Sequence, residues 1–235
     1  MERSQKLFAH PFSAEYWKVS AKELTSTKML VLAALLTAMR IAIKMLKIPL
    51  APNLNITFGF VINSVGSMIY GPVMGIITSA VSDTVGAILF PSGTYFFPYI
   101  FEEIAGGLIF ALFFYRAKIS TTRVLFARFT VTLVCNIILN PCISYLYYMM
   151  LDPTNITYSI FTPLRLVKNL VMFPVQSLIL IILFNAILPV TNRMQLTFTG
   201  NTKISMKAKD IITLVVMTLI SALAILIYCM FFVKK

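Results

Sequence analysis

Charged and amide side chains interrupt apolar stretches that are long enough to cross a lipid bilayer. They stand within or at the edges of these stretches and are Arg40, Asp83, Glu102, Glu103, Arg165, Lys168 and Asn169. A charge at the centre of a membrane helix costs about 2.5–3.5 kcal/mol even on the most lenient scale, so such groups usually face a cavity or one another. Both signs of charge occur, with aromatic residues close by in the sequence. The pattern therefore predicts a pocket for a polar, charged and partly aromatic small molecule.

Three of these residues share one face of the sixth apolar segment. Arg165, Lys168 and Asn169 are spaced i, i+3 and i+4, which places them side by side on a helix. One interpretation is that the cations bind substrate carboxylates while Asn169 hydrogen-bonds a ring. The alternative is that Arg165 and Lys168 extend to the outer membrane interface without a ligand. Arg40 lies in the first segment near the same outer half, and arginine suits bidentate carboxylate binding better than lysine does.

An aromatic loop joins the third and fourth segments. It covers residues 90–98 and contains Tyr95, Phe96 and Phe97 between two prolines. Such a loop at the outer surface is typical of an aromatic belt at the membrane interface. It is equally compatible with a lid that stacks on a flat ligand.

The acidic residues offer little to catalysis. Asp83 lies well inside the third segment, where its carboxylate needs an internal partner or the amino groups of a ligand. Glu102 and Glu103 point about 100° apart on a helix, so they do not converge on one metal or one proton. The chain has one histidine, His10, and no Walker A, HExxH or magnesium-binding acidic motif. We therefore expect no enzyme activity, no metal site and no cofactor.

The composition predicts an all-α, polytopic membrane protein. Of the 235 residues, 59% are hydrophobic and only 12% are charged, which is too little polar surface for a soluble domain of this size. The net charge of +12 lies mainly in clusters between apolar stretches, as in cytoplasmic loops, so no nucleic-acid partner is expected. Cys135, Cys142 and Cys229 form no CxxC motif and indicate packing roles.

The apolar pattern contains about seven segments. They cover residues 28–47, 55–70, 72–90, 98–115, 124–150, 163–188 and 210–232. A turn at Tyr70-Gly71-Pro72 separates the second segment from the third. We divide the chain into a cytoplasmic N-terminal segment, a six-helix substrate-binding membrane domain, a basic cytoplasmic linker, and an extra transmembrane helix with a tail. These divisions are residues 1–27, 28–190, 191–209 and 210–235.

The basic clusters predict the orientation in the membrane. Lysines and arginines concentrate before the first segment, between the fourth and fifth, and between the sixth and seventh. The positive-inside rule then places the N-terminus in the cytoplasm, the C-terminus outside, and the loops at 90–97 and 151–162 outside. Near the N-terminus, aromatic and basic residues alternate, which indicates either an interfacial helix or a plain polar tail. These residues are Phe8, Phe12, Tyr16, Trp17, Lys18 and Lys22.

A pair of small residues marks the first segment. Ala34 and Ala38 are four residues apart, so they form a small patch on one helix face where another backbone can approach closely. Packing inside the bundle and contact with another protein both explain the pair.

An ordered series of motifs resembles a known family. Ala34-x-x-x-Ala38 resembles the docking motif of the substrate-binding S components of energy-coupling factor (ECF) vitamin transporters. The longer motifs resemble the folate-type, FolT-like members of that family. They are Pro52–Phe60, Tyr70–Gly75, Ser82–Gly86, Phe90–Pro98 and Arg165–Leu170.

The resemblance implies a six-helix core that binds folate from the outside in a prokaryotic plasma membrane. It also implies partners that this chain does not encode, namely a transmembrane coupling subunit and two ATPase subunits. Ala34 and Ala38 would dock on the coupling subunit. Within the folate site the residues divide into three groups: carboxylate-binding Arg40, Arg165 and Lys168; stacking Tyr95, Phe96 and Phe97; and pterin-bonding Asn63, Asp83 and Asn169.

Three alternatives remain open on the sequence alone. The first is an S component for another vitamin or precursor. The second is an integral-membrane enzyme that uses Asp83 and Glu102, which would need a metal or a further carboxylate on a facing helix. The third is a stand-alone secondary transporter, which internal repeats would favour and for which we find no convincing repeat.

Overall fold

The computed structural model describes residues 7–8, 10–51, 54–91, 95–151 and 163–228. Helices dominate this part of the chain. They are α1 (Ala14–Lys22), α2 (Thr27–Lys44), α3 (Gly59–Leu89), α4 (Tyr99–Phe114), α5 (Thr121–Val131), α6 (Asn140–Leu151), α7 (Pro163–Arg193) and α8 (Ala208–Tyr228). A short 3₁₀ helix, Glu23–Thr25, joins α1 to α2, and a π-helix, Thr132–Leu139, joins α5 to α6. Two strands complete the described elements: β1 (Lys47–Ala51) and β2 (Leu54–Thr57).

Three helices among the described residues are long and apolar enough to cross a membrane. They are Gly59–Leu89, Thr121–Leu151 and Arg165–Arg193. A fourth span results if α1, the 3₁₀ helix and α2, which meet at a bend of 86°, are counted as one. The helix α4 has 16 residues, slightly below the usual spanning length of about 17–25. These spans agree with the predicted all-α membrane bundle, while the count of six helices plus one stays a prediction.

A β-hairpin replaces the start of the predicted second apolar segment. The sequence predicts one helical segment over 55–70, but Leu54–Thr57 forms a strand that pairs antiparallel with β1, with Ile48 opposite Ile56. The prediction was wrong there because it treated the segment as uniformly apolar. Pro49 disfavours helix at the residue before it, and the β-branched residues in both strands favour extended structure.

The predicted break at Tyr70-Gly71-Pro72 is confirmed. Gly71 interrupts α3 with φ 77° and ψ −174°, a backbone conformation that is essentially restricted to glycine. The second half of α3 therefore begins with backbone N–H groups that have no partner in the preceding turn. The hydroxyl of Ser20, on α1, accepts one of them from Val73 at 3.1 Å. The break in α3 and the position of α1 thus depend on each other.

The chain forms two compact units. The first contains Met1–Ile119 with Ile182–Ile204, and the second contains Ser120–Ile181 with Ser205–Lys235. These units group residues that lie together in space, whereas the four divisions predicted from the sequence are consecutive stretches of the chain. The four divisions stay a prediction.

Small residues allow α3 and α4 to approach closely in the first unit. The Ser67 hydroxyl donates to the carbonyl oxygen of Gly107 at 3.0 Å. A Cβ atom on Gly107 would lie 2.5 Å from Ser79 Oγ, so any larger side chain would push the helices apart. Farther along α4, the fully buried Phe114 packs edge-on against Phe184 of α7 at 4.9 Å between ring centroids.

A buried ionic cluster connects the 3₁₀ helix to the residues that follow α4. Arg116 Nη2 lies 3.3 Å from Glu23 Oε1, and the Tyr115 hydroxyl donates to the same oxygen at 3.0 Å. Two buried side chains therefore hold the Glu23 carboxylate, which is itself buried.

The predicted basic linker is an ordered loop where it follows α7. Asn201 pairs with the backbone of Ile119, accepting its N–H at 3.1 Å and donating to its carbonyl oxygen at 2.8 Å. Asn192 donates to the carbonyl oxygen of Asn201 at 2.8 Å. The linker is therefore fixed by amide side chains rather than by its lysines.

The second unit is built on the long helix Thr121–Leu151 and the first part of α7. Phe129 and Phe173 pack edge-on at 5.7 Å between centroids. At the start of α8, Asp210 accepts the backbone N–H of Lys207 at 2.9 Å and the Thr122 hydroxyl at 2.6 Å. The predicted seventh segment, 210–232, thus begins two residues early, and its end after residue 228 lies outside the described residues.

Replacing Gly71 with alanine is expected to destabilise the protein. The glycine-only backbone conformation costs other residues about 1–3 kcal/mol, and a Cβ atom would lie only 2.8 Å from Ser20 Oγ and 2.9 Å from Tyr115 Cζ. Gly75→Ala is the matched control, because Gly75 is in the same helix and its Cβ would meet nothing closer than 3.9 Å. Thermal unfolding in detergent should show a lower midpoint for Gly71→Ala only. Equal midpoints for the two variants would contradict this account of the break.

Candidate functional site

A four-residue ionic cluster lies within the helices of the first unit. Arg40 and Lys44 are one turn apart on α2, Asp83 is on α3 and Glu103 is on α4. Arg40 Nη2 pairs with Glu103 Oε2. Lys44 Nζ lies 2.7 Å from Glu103 Oε1 and 3.5 Å from Asp83 Oδ1. One carboxylate, that of Glu103, therefore bridges both cations.

The formal charges of the cluster sum to zero, but some of its buried polar atoms lack hydrogen-bond partners. Two cations face two carboxylates, which reduces the cost of placing each charge in an apolar surrounding. Arg40 is 4% exposed. Within the cluster or next to it in sequence, three buried atoms nevertheless have no hydrogen-bond partner among the described residues: Arg40 Nε, Asp83 Oδ2 and Ser82 Oγ. Such orphaned groups cost stability and are available to a bound polar molecule.

Asn63 belongs to the same region of the first unit. Arg40 Nη1 donates to Ser79 Oγ at 2.9 Å. A Cβ atom on Gly107 would touch both Ser79 Oγ and Asn63 Oδ1, the latter at 3.4 Å, so Asn63 lies close to the serine that accepts from Arg40. Arg40 and Asn63 thus both lie near Ser79, while Asp83 joins the cluster through Lys44.

Glu103 is the member of the adjacent acidic pair that faces the cluster. The sequence indicated that the two carboxylates would diverge and that one would face the interior. The contacts of Glu103 with Arg40 and Lys44 confirm this for Glu103. Lys44, by contrast, was not among the site residues predicted from the sequence. Its spacing from Arg40, four residues, was the signal that could have placed both on one face.

The three predicted loop aromatics do not share one environment. Phe96 is buried and packs edge-on against Tyr99 at 6.1 Å between centroids. Tyr95 and Phe97 are exposed, and Phe97 lies 5.8 Å from Phe101. Residues 92–94, in the middle of the predicted lid, lie outside the described residues.

In the second unit, arginines and amides form a separate row. Arg165 Nη1 donates to Asn140 Oδ1 at 3.1 Å. The Asn136 side-chain amide donates to Asn169 Oδ1 at 3.0 Å, and Asn169 in turn donates to the carbonyl oxygen of Arg165 at 3.0 Å. Arg165 and Asn169 therefore face the π-helical region, and Arg165 interacts inside the protein. The half-buried Lys168 also has an interaction partner.

The sequence interpretation missed the partners of this row. Arg128 Nη2 donates to Gln176 Oε1, and Arg128 is almost fully buried. Polar residues recur every four positions along this helix, namely Arg128, Thr132, Asn136 and Asn140. That spacing was the available signal, because i→i+5 bonding in the π-helix gives more residues per turn and keeps positions four apart closer to one face.

The described residues contain no group of three histidine, cysteine, aspartate or glutamate side chains that could hold a metal ion. Cys135 is buried, Cys142 is exposed, and both are free. The chemistry that these two units offer is therefore hydrogen bonding and charge pairing by fixed polar groups.

The sequence of this chain matches one family model and several curated relatives. Residues 24–188 match the family model described as "ECF-type riboflavin transporter, S component". The folate transporter FolT of Clostridium novyi is 32% identical over 129 residues, which are 55% of this chain and 72% of that protein. FolT of Leuconostoc mesenteroides is 32% identical over 151 residues, which are 64% and 80% of the two chains.

A solved structure shares the fold. A crystal structure of FolT bound with folic acid superimposes with a TM-score of 0.57 and 30% sequence identity, covering 66% of this chain and 91% of that one. This likeness confirms the predicted all-α membrane fold. With the family match over residues 24–188, it shows that the chain belongs to the family of S components of ECF-type transporters.

Proposed function

We propose that this chain captures folate or a reduced folate from outside the cell and delivers it through a shared ATP-driven module. The observation that carries the proposal is the likeness to FolT bound with folic acid over 91% of that chain. Folate combines a planar pterin, a benzoate amide and a glutamate with two carboxylates. It therefore needs hydrogen-bonding groups, an apolar or aromatic surface and cations, and the chain has all three among its described residues.

Within the first unit, we assign Asp83 and Asn63 to pterin hydrogen bonding. The unpartnered Asp83 Oδ2 supports this role, because an amino group of a ligand can donate to it. Arg40 is assigned to a ligand carboxylate. Since Glu103 already holds Arg40, the ligand would share or displace that contact. Stacking is assigned to the loop aromatics Tyr95, Phe96 and Phe97.

Within the second unit, we assign Arg165 and Lys168 to the glutamate carboxylates and Asn169 to a ring. The hydrogen bond from Arg165 to the side-chain oxygen of Asn140 supports this role, because it orients the guanidinium.

The face of α2 that carries Ala34 and Ala38 is proposed to dock on the transmembrane coupling subunit, which joins two ATPase subunits. Both alanines are exposed, whereas their neighbours Ala33 and Thr37 are buried. This exposure supports contact with another protein over packing of the pair against the described part of the chain. Their small size leaves room for the backbone of a partner helix.

The proposed location is a prokaryotic plasma membrane, with the N-terminus in the cytoplasm and the C-terminus outside. The orientation is supported by the basic clusters between the apolar segments. We also propose that the chain itself catalyses no reaction. The carboxylate that shares a contact with Asp83 is that of Glu103 rather than that of Glu102, because Lys44 pairs with both. Arg40 also pairs with Glu103.

A second candidate ligand is riboflavin, which the description of the matching family model favours. Purified protein titrated calorimetrically with folic acid, a reduced folate and riboflavin decides between them. We expect micromolar or tighter binding for a folate and none for riboflavin at the same concentrations. Tight binding of riboflavin without folate binding would replace the substrate assignment and leave the family membership intact.

Arg165→Ala should weaken folate binding about 10- to 100-fold, because a hydrogen bond to a charged group contributes about 1.5–3 kcal/mol. A pterin that lacks the glutamate should lose little. Asn140→Ala is the matched control: it removes the amide that accepts from Arg165 but keeps the cation. Equal losses for folate and the truncated pterin in Arg165→Ala would argue against carboxylate binding.

Ala34→Trp and Ala38→Trp should each preserve folate binding and abolish uptake by cells that express the complete transporter. A tryptophan at either position fills the space that a partner helix needs. Ile182→Trp, a bulky change at an exposed position of α7, serves as the control and should retain uptake. Normal uptake by both alanine variants would remove this docking role.

A further inference from the structure

The first helix is placed to run along a membrane surface. The stretch Ala14–Thr25 meets Thr27–Lys44 at 86°. With 18 residues, α2 is about 27 Å long at 1.5 Å per residue, close to the bilayer's apolar thickness of about 30 Å. Because α2 covers most of the predicted first apolar segment, 28–47, we take α2 alone as the spanning part of this bent pair. The first helix, nearly perpendicular to it, then lies parallel to the plane of the membrane. Its position in the first unit thus puts α1 at the edge of one leaflet.

One face of α1 is fixed to the protein. The Tyr16 hydroxyl donates to the carbonyl oxygen of Ala111 at 3.0 Å, and Ser20 accepts the Val73 N–H. Tyr16 is 1% exposed, so the sequence interpretation that grouped it with interfacial aromatics was wrong. Its ring belongs to the protein core because it packs against Tyr115 at 5.5 Å.

The opposite side leaves apolar and basic side chains uncovered. Phe12 is 86% exposed and Trp17 is 36% exposed, while Lys18 and Lys22 are also exposed. Ser13 is the N-cap of α1 and accepts the N–H of Tyr16 at 3.2 Å. Phe12 thus stands where an apolar residue usually packs against the fourth helical residue, here Trp17, to form a hydrophobic staple. Its exposure shows that Phe12 does not serve that purpose.

We propose that the outer surface of α1, formed by Phe12, Trp17, Lys18 and Lys22, binds the headgroup region of an anionic phospholipid leaflet. Tryptophan and phenylalanine enter the boundary between headgroups and acyl chains, where amphipathic aromatic side chains concentrate. The lysine ammonium groups contact lipid phosphates, which attract basic residues within about a Debye length of the surface. In this arrangement the protein covers one side of α1 and the lipid leaflet covers the other.

A single intrinsic probe reports on this surface. Trp17 is the only tryptophan in the chain, so the fluorescence of the full-length, unmodified protein comes from α1. The protein is placed in nanodiscs of phosphatidylcholine alone or of equimolar phosphatidylcholine and phosphatidylglycerol. We expect a blue-shifted emission, quenching by lipids brominated near the glycerol end of the acyl chain, and protection from aqueous iodide. Each effect should be larger with phosphatidylglycerol.

The charge requirement is tested with Lys18→Gln combined with Lys22→Gln. This variant should lose the additional protection that phosphatidylglycerol gives. Lys203→Gln with Lys207→Gln removes the same charge from exposed positions elsewhere and should keep it. The proposal is overturned if iodide reaches Trp17 equally in both lipids and brominated lipids do not quench it. It is also overturned if both double variants lose protection alike, or if protection requires an added protein partner.

Discussion

The first unit depends on the ion pairs that Glu103 makes with Arg40 and Lys44. Charges in apolar helices are tolerated only when they are paired, and loss of one partner of a buried pair costs about 3–5 kcal/mol. The pairs connect α2 to α4, while the contact of Lys44 with Asp83 adds α3. Small residues between α3 and α4 make the geometry possible, because a side chain on Gly107 would collide with Ser79. Backbone packing and charge balance therefore specify the same arrangement.

The second unit also places arginines in apolar helices, and there amide side chains accept hydrogen bonds from them. Two of its arginine side chains donate to amide oxygens, Arg165 to Asn140 and Arg128 to Gln176. An amide oxygen accepts from a guanidinium without itself adding a negative charge, so these contacts orient the cations. The first unit, by contrast, pairs its clustered cations with carboxylates.

The class of the fold could be predicted from the sequence, and polar residues inside the apolar segments could be selected as candidates. The contacts between these residues could not be predicted. The break at Gly71 followed from local turn chemistry and is confirmed. The strand Leu54–Thr57, which pairs with Lys47–Ala51, was missed because a short apolar stretch has no periodicity that separates strand from helix. The pairing of Arg40 with Glu103 joins residues 63 positions apart. Such a contact depends on how two helices rotate about their axes, which one sequence does not specify.

The balance of charge in the first unit has an electrical consequence. A transmembrane voltage does work of about 2.3 kcal/mol on each elementary charge that crosses a difference of 100 mV. The formal charges of Arg40, Lys44, Asp83 and Glu103 sum to zero, so the resting potential of a cell exerts no net force on the cluster as a whole. Any displacement of this unit along the membrane normal would therefore move no net charge at this cluster.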